Sequence, residues 1–354
     1  MNCPVCKGDL VLESSFPRFP KYLPSRSKPF SEGDYHDLEI LRCLTCNLRI
    51  NSIRDEEFYS NIYTNQRSYV SKKSNKNWEE FLDINIYDEV IDIGGGHNSI
   101  VEIASKDTSK IIVDYVISEQ YKADAAIKCL EISAIKYLEL SSSLNFHNSA
   151  IFISHLLEHL VNFDVFLSKC ASLCGGPDIL IEMPNIKFFS DNIPHYTFFH
   201  EHCSLLRPID VKIILEPYGY GLKGILNSPL GHDLLLFSKD VNRSVNISPE
   251  VNYNEDLFVI ASNKIDKIIA QIEAVAIKPS SNICLKRAAG GNISLLLYHI
   301  SQRAPELLTQ ISLFDSINFS QFSSCNNMPI QNPSDLETCS SGSFIVDRLS
   351  LIEA

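Results

Sequence analysis

The sequence predicts an α/β protein: an N-terminal zinc-ribbon-like module, a central Rossmann-like domain built on a parallel sheet, and a small C-terminal α/β domain. Three observations predict it. Short apolar runs alternate with helical spacing through the middle of the chain, the rhythm of strands covered on both faces. A glycine cluster, "IDIGGGHNS", follows the first of these runs directly. Two C-x-x-C pairs stand ahead of it, in a chain of 354 residues, long enough for about two domains and an appendage.

"CPVC" supplies Cys3 and Cys6, and "CLTC" supplies Cys43 and Cys46. Two such knuckles bring four thiolates to a tetrahedron, the arrangement that structural Zn2+ takes. Four sulfurs leave no open position for a substrate, so the ion is structural. The interval between the pairs holds Pro17, Pro20, Pro24 and Pro29, which marks a long ribbon loop. Residues 1–54 are read as this zinc-binding module.

Residues 55–82 are rich in tyrosine, serine and lysine and helical in parts. "YDEVIDIGGGHNSIVEIA" then predicts a strand from Glu89 to Ile93, a glycine turn and the start of a helix. "KIIVDYV" predicts a strand ending on Asp114, "SAIFISHLLEHL" a strand running into a helix, and "GGPDILIEMP" another strand. A short helix has Pro208 in its first turn and is closed by Pro217 and Gly219. A late strand covers Asp233 to Ser238. These elements make a central domain over 55–240. Apolar positions at helical spacing over 255–278 predict a connecting helix within 241–279. "NICLKRAAGGNISLLLYHI", "ISLFDS" and "SFIVDRL" repeat an α/β rhythm, which defines the last domain, 280–354.

A net charge of −12 argues against nucleic acid as a partner, because phosphate binding needs a basic field. No run approaches the ~18 apolar residues of a membrane span. The N-terminus lacks the apolar core of a signal peptide. The expectation is a cytoplasmic chain with reduced thiols, whose eleven cysteines are metal ligands and small buried apolar residues, and whose partner is a small molecule.

Asp92, Gly94, Gly95 and Gly96 form a D-x-G-x-G turn directly after a strand. Glycines there let the backbone pass close to a ligand. Asp114, at the end of the next strand, is placed to take two ribose hydroxyls. A dinucleotide fingerprint asks for a third small residue to make room for a pyrophosphate. Here Ser99 holds that position after His97 and Asn98, so S-adenosylmethionine (SAM) fits better than NAD. A plain strand-to-helix turn is the alternative.

Two histidine motifs follow. "HLLEH" (His155, Glu158, His159) literally matches the H-x-x-E-H of inverted zinc peptidases. His155, however, falls at the tip of a buried strand, where a parallel sheet places its ligand crevice. The motif is therefore read as a polar helix start lining the cofactor pocket. "HYTFFHEHCSLL" puts His195, His200, Glu201 and His202 within eight positions. A glutamate beside a histidine holds its tautomer and suits a general base near neutral pH. A metal site is the weaker reading, since histidines at i, i+2 need a third ligand from elsewhere. A hydrogen-bonded polar loop is the plain one.

Together the double C-x-x-C, the tyrosine/serine segment, the D-x-G-x-G turn, "SHLLEHL" and the "HEH" before a short helix resemble the zinc-containing sugar C-methyltransferases. These class I SAM-dependent enzymes methylate C3 of a nucleotide-linked 4-keto deoxysugar. The resemblance covers about residues 1–240, with a fainter echo beyond. "SHLLEHL" is shared by many class I methyltransferases; the knuckles with "HEH" are the specific part. The family's Y-H-E-H corresponds to "FHEH" here, with Phe199 replacing the tyrosine and Glu201 and His202 matching the pair assigned to deprotonation. Asp92, Gly94 and Gly96 match the cofactor loop and Asp114 the ribose carboxylate. "YTNQRSYVS" is similar to the segment folding over the cofactor, with Tyr63, Ser68 and Ser71 as matches. In "AIKCLEIS", Cys129 stands where the family often has an acid near the adenine. "RAAGGNIS" keeps a glycine turn.

The resemblance implies a specific chemistry. A ketone at C4 acidifies the hydrogen on C3, His202 removes it, Glu201 orients His202, and His200 donates to the developing enolate oxygen. Two rivals remain: methylation of oxygen or nitrogen on another small metabolite, and a degenerate SAM- or sugar-binding partner protein.

Overall fold

Every second residue of the central strands faces the same layer, and this alternation builds the domain. The computed structural model describes residues 2–21, 35–65, 75–192, 197, 200–228, 231–243, 257–275, 282–286, 299–300, 311–314 and 343–346. Ser68, Ser71, His195, Phe199 and the glycine turn at 287–294 lie outside them, as does the side chain of Tyr63.

The N-terminal part comprises β1 (Leu10–Pro20), β2 (Tyr35–Cys43) and β3 (Arg49–Asn51). Helices α1 (Glu56–Asn65) and α2 (Asn75–Phe81) lead into β4 (Glu89–Ile93). Then come β5 (Ser109–Asp114), α3 (Glu119–Lys122), β6 (Ile127–Glu131), α4 (Ala134–Leu140), β7 (Ser149–Ser154), α5 (Phe163–Ala171) and β8 (Asp178–Pro184). Next are α6 (Ile186–Asn192), β9 (Ser204–Leu205), α7 (Pro208–Leu215), β10 (Gly221–Ser228) and β11 (His232–Ser238). Helix α8 (Leu257–Val275) precedes β12 (Asn282–Lys286), β13 (Ile311–Phe314) and β14 (Ser343–Val346).

A seven-stranded sheet runs β10-β11-β8-β7-β4-β5-β6. The five strands from β8 to β6 are parallel, and β11 and β10 join antiparallel at one end. Ile91, Ile93, Ile151, Ile153, Ile179 and Ile181 point to one face, under Phe163, Phe166 and Leu167 of α5 and Val211 and Leu215 of α7. Val90, Ile112, Phe152, Leu180 and Leu234 point to the other, under Trp78 and Phe81 of α2. This is the doubly covered, Rossmann-like α/β architecture expected from the unbroken apolar runs. Burying each such side chain contributes roughly 1.5–3 kcal/mol, so truncating Ile151 or Phe163 would break the layer it fills.

Differences from expectation have local causes. Strand β6 was not apparent in the sequence because Ile-Lys-Cys-Leu-Glu at a sheet edge is half polar. It places Cys129 inside the strand and Glu131 at its end, opposite Asp114. The glycine turn leads not into an α-helix but into a single 3-10 turn, Ile100–Ile103, capped by Ser99. Only five residues, 104–108, separate that turn from β5, too few for a longer helix. "HLLEH" likewise forms a 3-10 turn, Leu157–His159, and α5 begins at Phe163. Between the knuckles the chain is not a ribbon loop throughout, because β1 and β2 are arms of an antiparallel pair. Strand β1 carries Pro17 at a register irregularity between Phe16 and Phe19, where a missing N–H costs no ladder bond.

Strand β3 pairs with β9, so the knuckle sheet shares a strand with the segment following "HEH". The C-terminal strands form a separate parallel sheet, β13-β12-β14. Among the described residues no helix is long and apolar enough to cross a membrane.

Candidate active site and thiol cluster

The four knuckle cysteines converge as their spacing predicts. Cys3 Sγ lies 3.6 Å from Cys46 Sγ and Cys6 Sγ 3.4 Å from Cys43 Sγ, and all four sulfurs fall within 4.8 Å of one another. Thiolates about 2.3 Å from a common tetrahedral ion stand roughly 3.8 Å apart, so the set fits one. Backbone N–H groups of Thr45 and Cys46 point at Cys43 Sγ, at 3.4 and 3.5 Å. Burial by itself would raise the Cys43 pKa, but these donors and the neighbouring thiols bring it down to about 7. Arg207 donates to the Cys46 carbonyl at 2.6 Å and is fixed by Asp210, tying the knuckle to the start of α7.

At the carboxyl end of β4, Asp92 is fully buried. Its Oδ2 accepts from Ser99 Oγ at 2.7 Å and from the Ile100 N–H at 2.9 Å, closing the glycine turn. Gly94 has a φ of +88°. A Cβ on Gly96 would strike the Val116 carbonyl and the Asp114 carboxylate, whose Oδ2 accepts the Gly96 N–H at 2.9 Å. A Cβ on Gly95 would run into the Asp92 carboxylate. Gly95 and Gly96 are therefore required by the close packing of the turn on Asp92, Asp114 and Val116, and Gly94 by its positive φ. Beside Asp114, Tyr115 is 74% exposed and Val116 59%. Neither was singled out in the sequence, although an aromatic residue directly after a strand-end acid was there to be read.

The histidine motifs meet at the end of β7. His155 has a φ of +49°, a left-handed conformation rarely held by a non-glycine residue. It follows directly on β7, and Leu156, next in sequence, lies 3.5 Å from where a Gly94 Cβ would be. His155 Nδ1 is 3.4 Å from Glu158 Oε1, and its Nε2 is 3.7 Å from Glu182 Oε1. Burial would lower the His155 pKa, but Glu158 and Glu182 override it and raise it to about 9. Glu158, for its part, is held down to about 2 despite its burial, by His155 and His159.

His202 and His159 face one another with ring centroids 5.1 Å apart, and both come within 4.8 Å of the Glu158 carboxylate. His159 Nδ1 is 2.8 Å from the Glu201 carbonyl oxygen. Burial, then the charge of His159, depress the His202 pKa to about 3, so this imidazole is neutral across the physiological range. His200 goes elsewhere. Its ring is buried among Phe19, His36 and Phe58, with Nε2 3.1 Å from the His36 carbonyl. Burial lowers its pKa to about 4. His200 and His202 therefore part: His202 joins "HLLEH", while His200 packs into the knuckle sheet. Glu158 is the carboxylate found beside His202; Glu201 contributes its backbone carbonyl to His159.

Sequence reading missed Glu182 and His232. His232 Nδ1 lies 3.1 Å from Glu182 Oε1, and its ring centroid 4.4 Å from that of His155. A lone glutamate inside the apolar run "DILIEMP" was a signal, because an acid in a doubly covered strand must find a partner.

No family profile and no curated protein matches the chain. Solved structures that resemble it include a SAM-dependent methyltransferase from Archaeoglobus fulgidus, at 18% identity and a TM-score of 0.35, over 47% of this chain and 90% of that one. Human N-acetylserotonin methyltransferase, solved in complex with SAM, matches at 12% and 0.35, over 45% of this chain and 49% of that one. A methyltransferase from Mesorhizobium loti matches at 10% and 0.33, over 44% and 93%. The chain thus spans about half the length of the human enzyme and most of the other two.

Proposed function

We propose that this protein is a SAM-dependent methyltransferase whose N-terminal knuckles hold a structural zinc ion. Its substrate in this reading is a nucleotide-linked 4-keto deoxysugar, methylated at carbon. One observation carries the reading: a glycine turn follows β4, and the half-buried imidazole of His202 stands within 4.8 Å of Glu158, just beyond the adjacent parallel strand β7. In open parallel sheets that edge is where ligands bind.

Asp92 shapes the cofactor turn, Gly94, Gly95 and Gly96 admit the ligand to the backbone, and Asp114 takes the ribose hydroxyls. Tyr115 and Val116 offer apolar surface to the adenine. When bound, SAM supplies an electrophilic methyl group. The chain itself must generate the nucleophile. A ring nitrogen of His202 receives the proton from the carbon beside the ketone, and Glu158 stabilises the imidazolium that forms. The Glu201 carbonyl holds His159 against that pair. His202 is a weak base beside His159, so proton transfer depends on Glu158 and on the acidity the ketone lends to its neighbouring carbon.

The test combines calorimetry with isotope exchange. SAM should bind at micromolar concentration and NAD should not, and Asp114→Ala should abolish SAM binding. Keto-sugar nucleotides incubated in D2O should exchange the hydrogen next to the carbonyl, and His202→Gln should stop that exchange while SAM still binds. Methyl transfer without exchange would move the reading to oxygen or nitrogen methylation. Binding of NAD alone would sink it.

A further inference from the structure

Beyond methyl transfer, the far side of His155 carries an arrangement that a base and its partner do not require. Glu182, the one glutamate in strand β8 with its side chain 1% exposed, presents its two oxygens to different surroundings. Oε2 accepts from Trp78 Nε1 at 3.1 Å and from Ser154 Oγ at 2.8 Å. Oε1 is left to two histidines, with His232 Nδ1 at 3.1 Å and His155 Nε2 at 3.7 Å. His155 Nε2 is buried and makes no hydrogen bond. Behind it, on Nδ1, stands Glu158, 3% exposed, neither of whose oxygens accepts an aligned hydrogen bond.

Each feature is what a metal ion requires. Two imidazoles and one carboxylate oxygen lie within 4.8 Å of one another. Around an ion at about 2.1 Å they would stand roughly 3.4 Å apart, which small side-chain rotations achieve. The second oxygen of the carboxylate is hydrogen-bonded and so held in a single-oxygen pose. The far nitrogen of one histidine faces a buried carboxylate, the partner that usually orients a ligating imidazole. His155 is also held in a left-handed backbone conformation, a cost that folds keep where a side chain must be aimed.

We propose that His155 Nε2, Glu182 Oε1 and His232 Nδ1 form a second metal site, distinct from the thiol cluster, for a divalent transition-metal ion, with Glu158 orienting His155. Mixed imidazole and carboxylate ligands select ions such as Zn2+, Fe2+ or Co2+ over Mg2+ and Ca2+. Three protein ligands leave positions open at the strand ends, where the oxygen of a small substrate can bind. The proposal stands apart from methyl transfer: it concerns the binding of an ion and needs no cofactor.

The test is titration of the full-length, chelator-stripped protein with Co2+, read by absorption and by the metal-to-protein ratio after gel filtration. Two ions per chain are expected. One should show the intense charge-transfer absorption of thiolate ligands, the other only the weak ligand-field bands of a nitrogen and oxygen site. His232→Ala should erase the second signal and leave the first, and Glu158→Gln should weaken it by about 10–100-fold. A single ion with thiolate absorption overturns the proposal, leaving His155 as a protonated bridge between two glutamates; so does a second ion indifferent to both substitutions. The wild-type spectrum decides by itself should a variant fail to fold. Neither readout involves SAM, so this proposal and the methyltransferase reading fail separately.

Discussion

Two clusters of potential metal ligands, about as compact as each other, differ in how they are assembled. The thiol cluster draws on two tight turns, Cys3–Cys6 and Cys43–Cys46, each delivering two sulfurs from one local backbone shape. The His155, Glu182 and His232 cluster draws one residue from each of three neighbouring strand ends, β7, β8 and β11. The first obtains its geometry from local turns, with Arg207 and the β3–β9 pairing fastening it to the central domain. The second exists only because the sheet is already built. A local cluster should therefore fail locally when damaged, and a tertiary cluster should be sensitive to its supports.

The largest effect should come from the thiol side. Binding free energy at a structural zinc, roughly 10–16 kcal/mol, is also folding free energy. Cys43→Ser is thus expected to unfold β1–β3 while leaving the seven-stranded sheet intact, which limited proteolysis with mass mapping would show. Cleavage spreading equally into β4–β8 would break the contrast. Arg207→Ala comes next. It removes the donor to the Cys46 carbonyl and leaves Asp210, which is fully buried, without its guanidinium. Stranding a buried charge costs about 3–5 kcal/mol, measurable by urea unfolding.

His200, packed into the knuckle sheet, gives a pH dependence. Its pKa falls from the ordinary 6.5 to about 4 on folding, so the folded state disfavours the charged ring. That stability is fully present above pH 6.5 and is lost as pH falls towards 4, a span worth roughly 3 kcal/mol. His200→Phe should flatten the acid limb of the stability curve over that window, and an unchanged limb would show that His200 is not its source. The smallest effect should be that of Trp78→Phe, which removes the N–H on Glu182 Oε2. Stability should drop by about 1 kcal/mol, and Co2+ absorption without thiolate character should shift while the thiolate bands stay fixed.

Legibility followed the range of the interactions. The apolar runs of β4, β5, β7 and β8 were readable because a strand covered on both faces excludes polar side chains. The edge strand β6 was not, because solvent tolerates its Lys128 and Glu131. At the site, the Asp92 turn was readable because glycines follow the acid within four residues. The approach of Glu158 to His202 was not: the two lie 44 positions apart in sequence, and only the folded chain brings them together.

By itself, then, the sequence determined the α/β architecture, the four-thiol knuckle pair and the glycine turn with its two aspartates. Each is written in short spacings that backbone geometry converts directly into shape. Tertiary structure alone decided that His200 and His202 part company, that Glu158 stands among three histidines, and that Glu182 and His232 meet beside His155. Those pairings depend on strand order and register, and on which buried charge lies nearest once water is excluded.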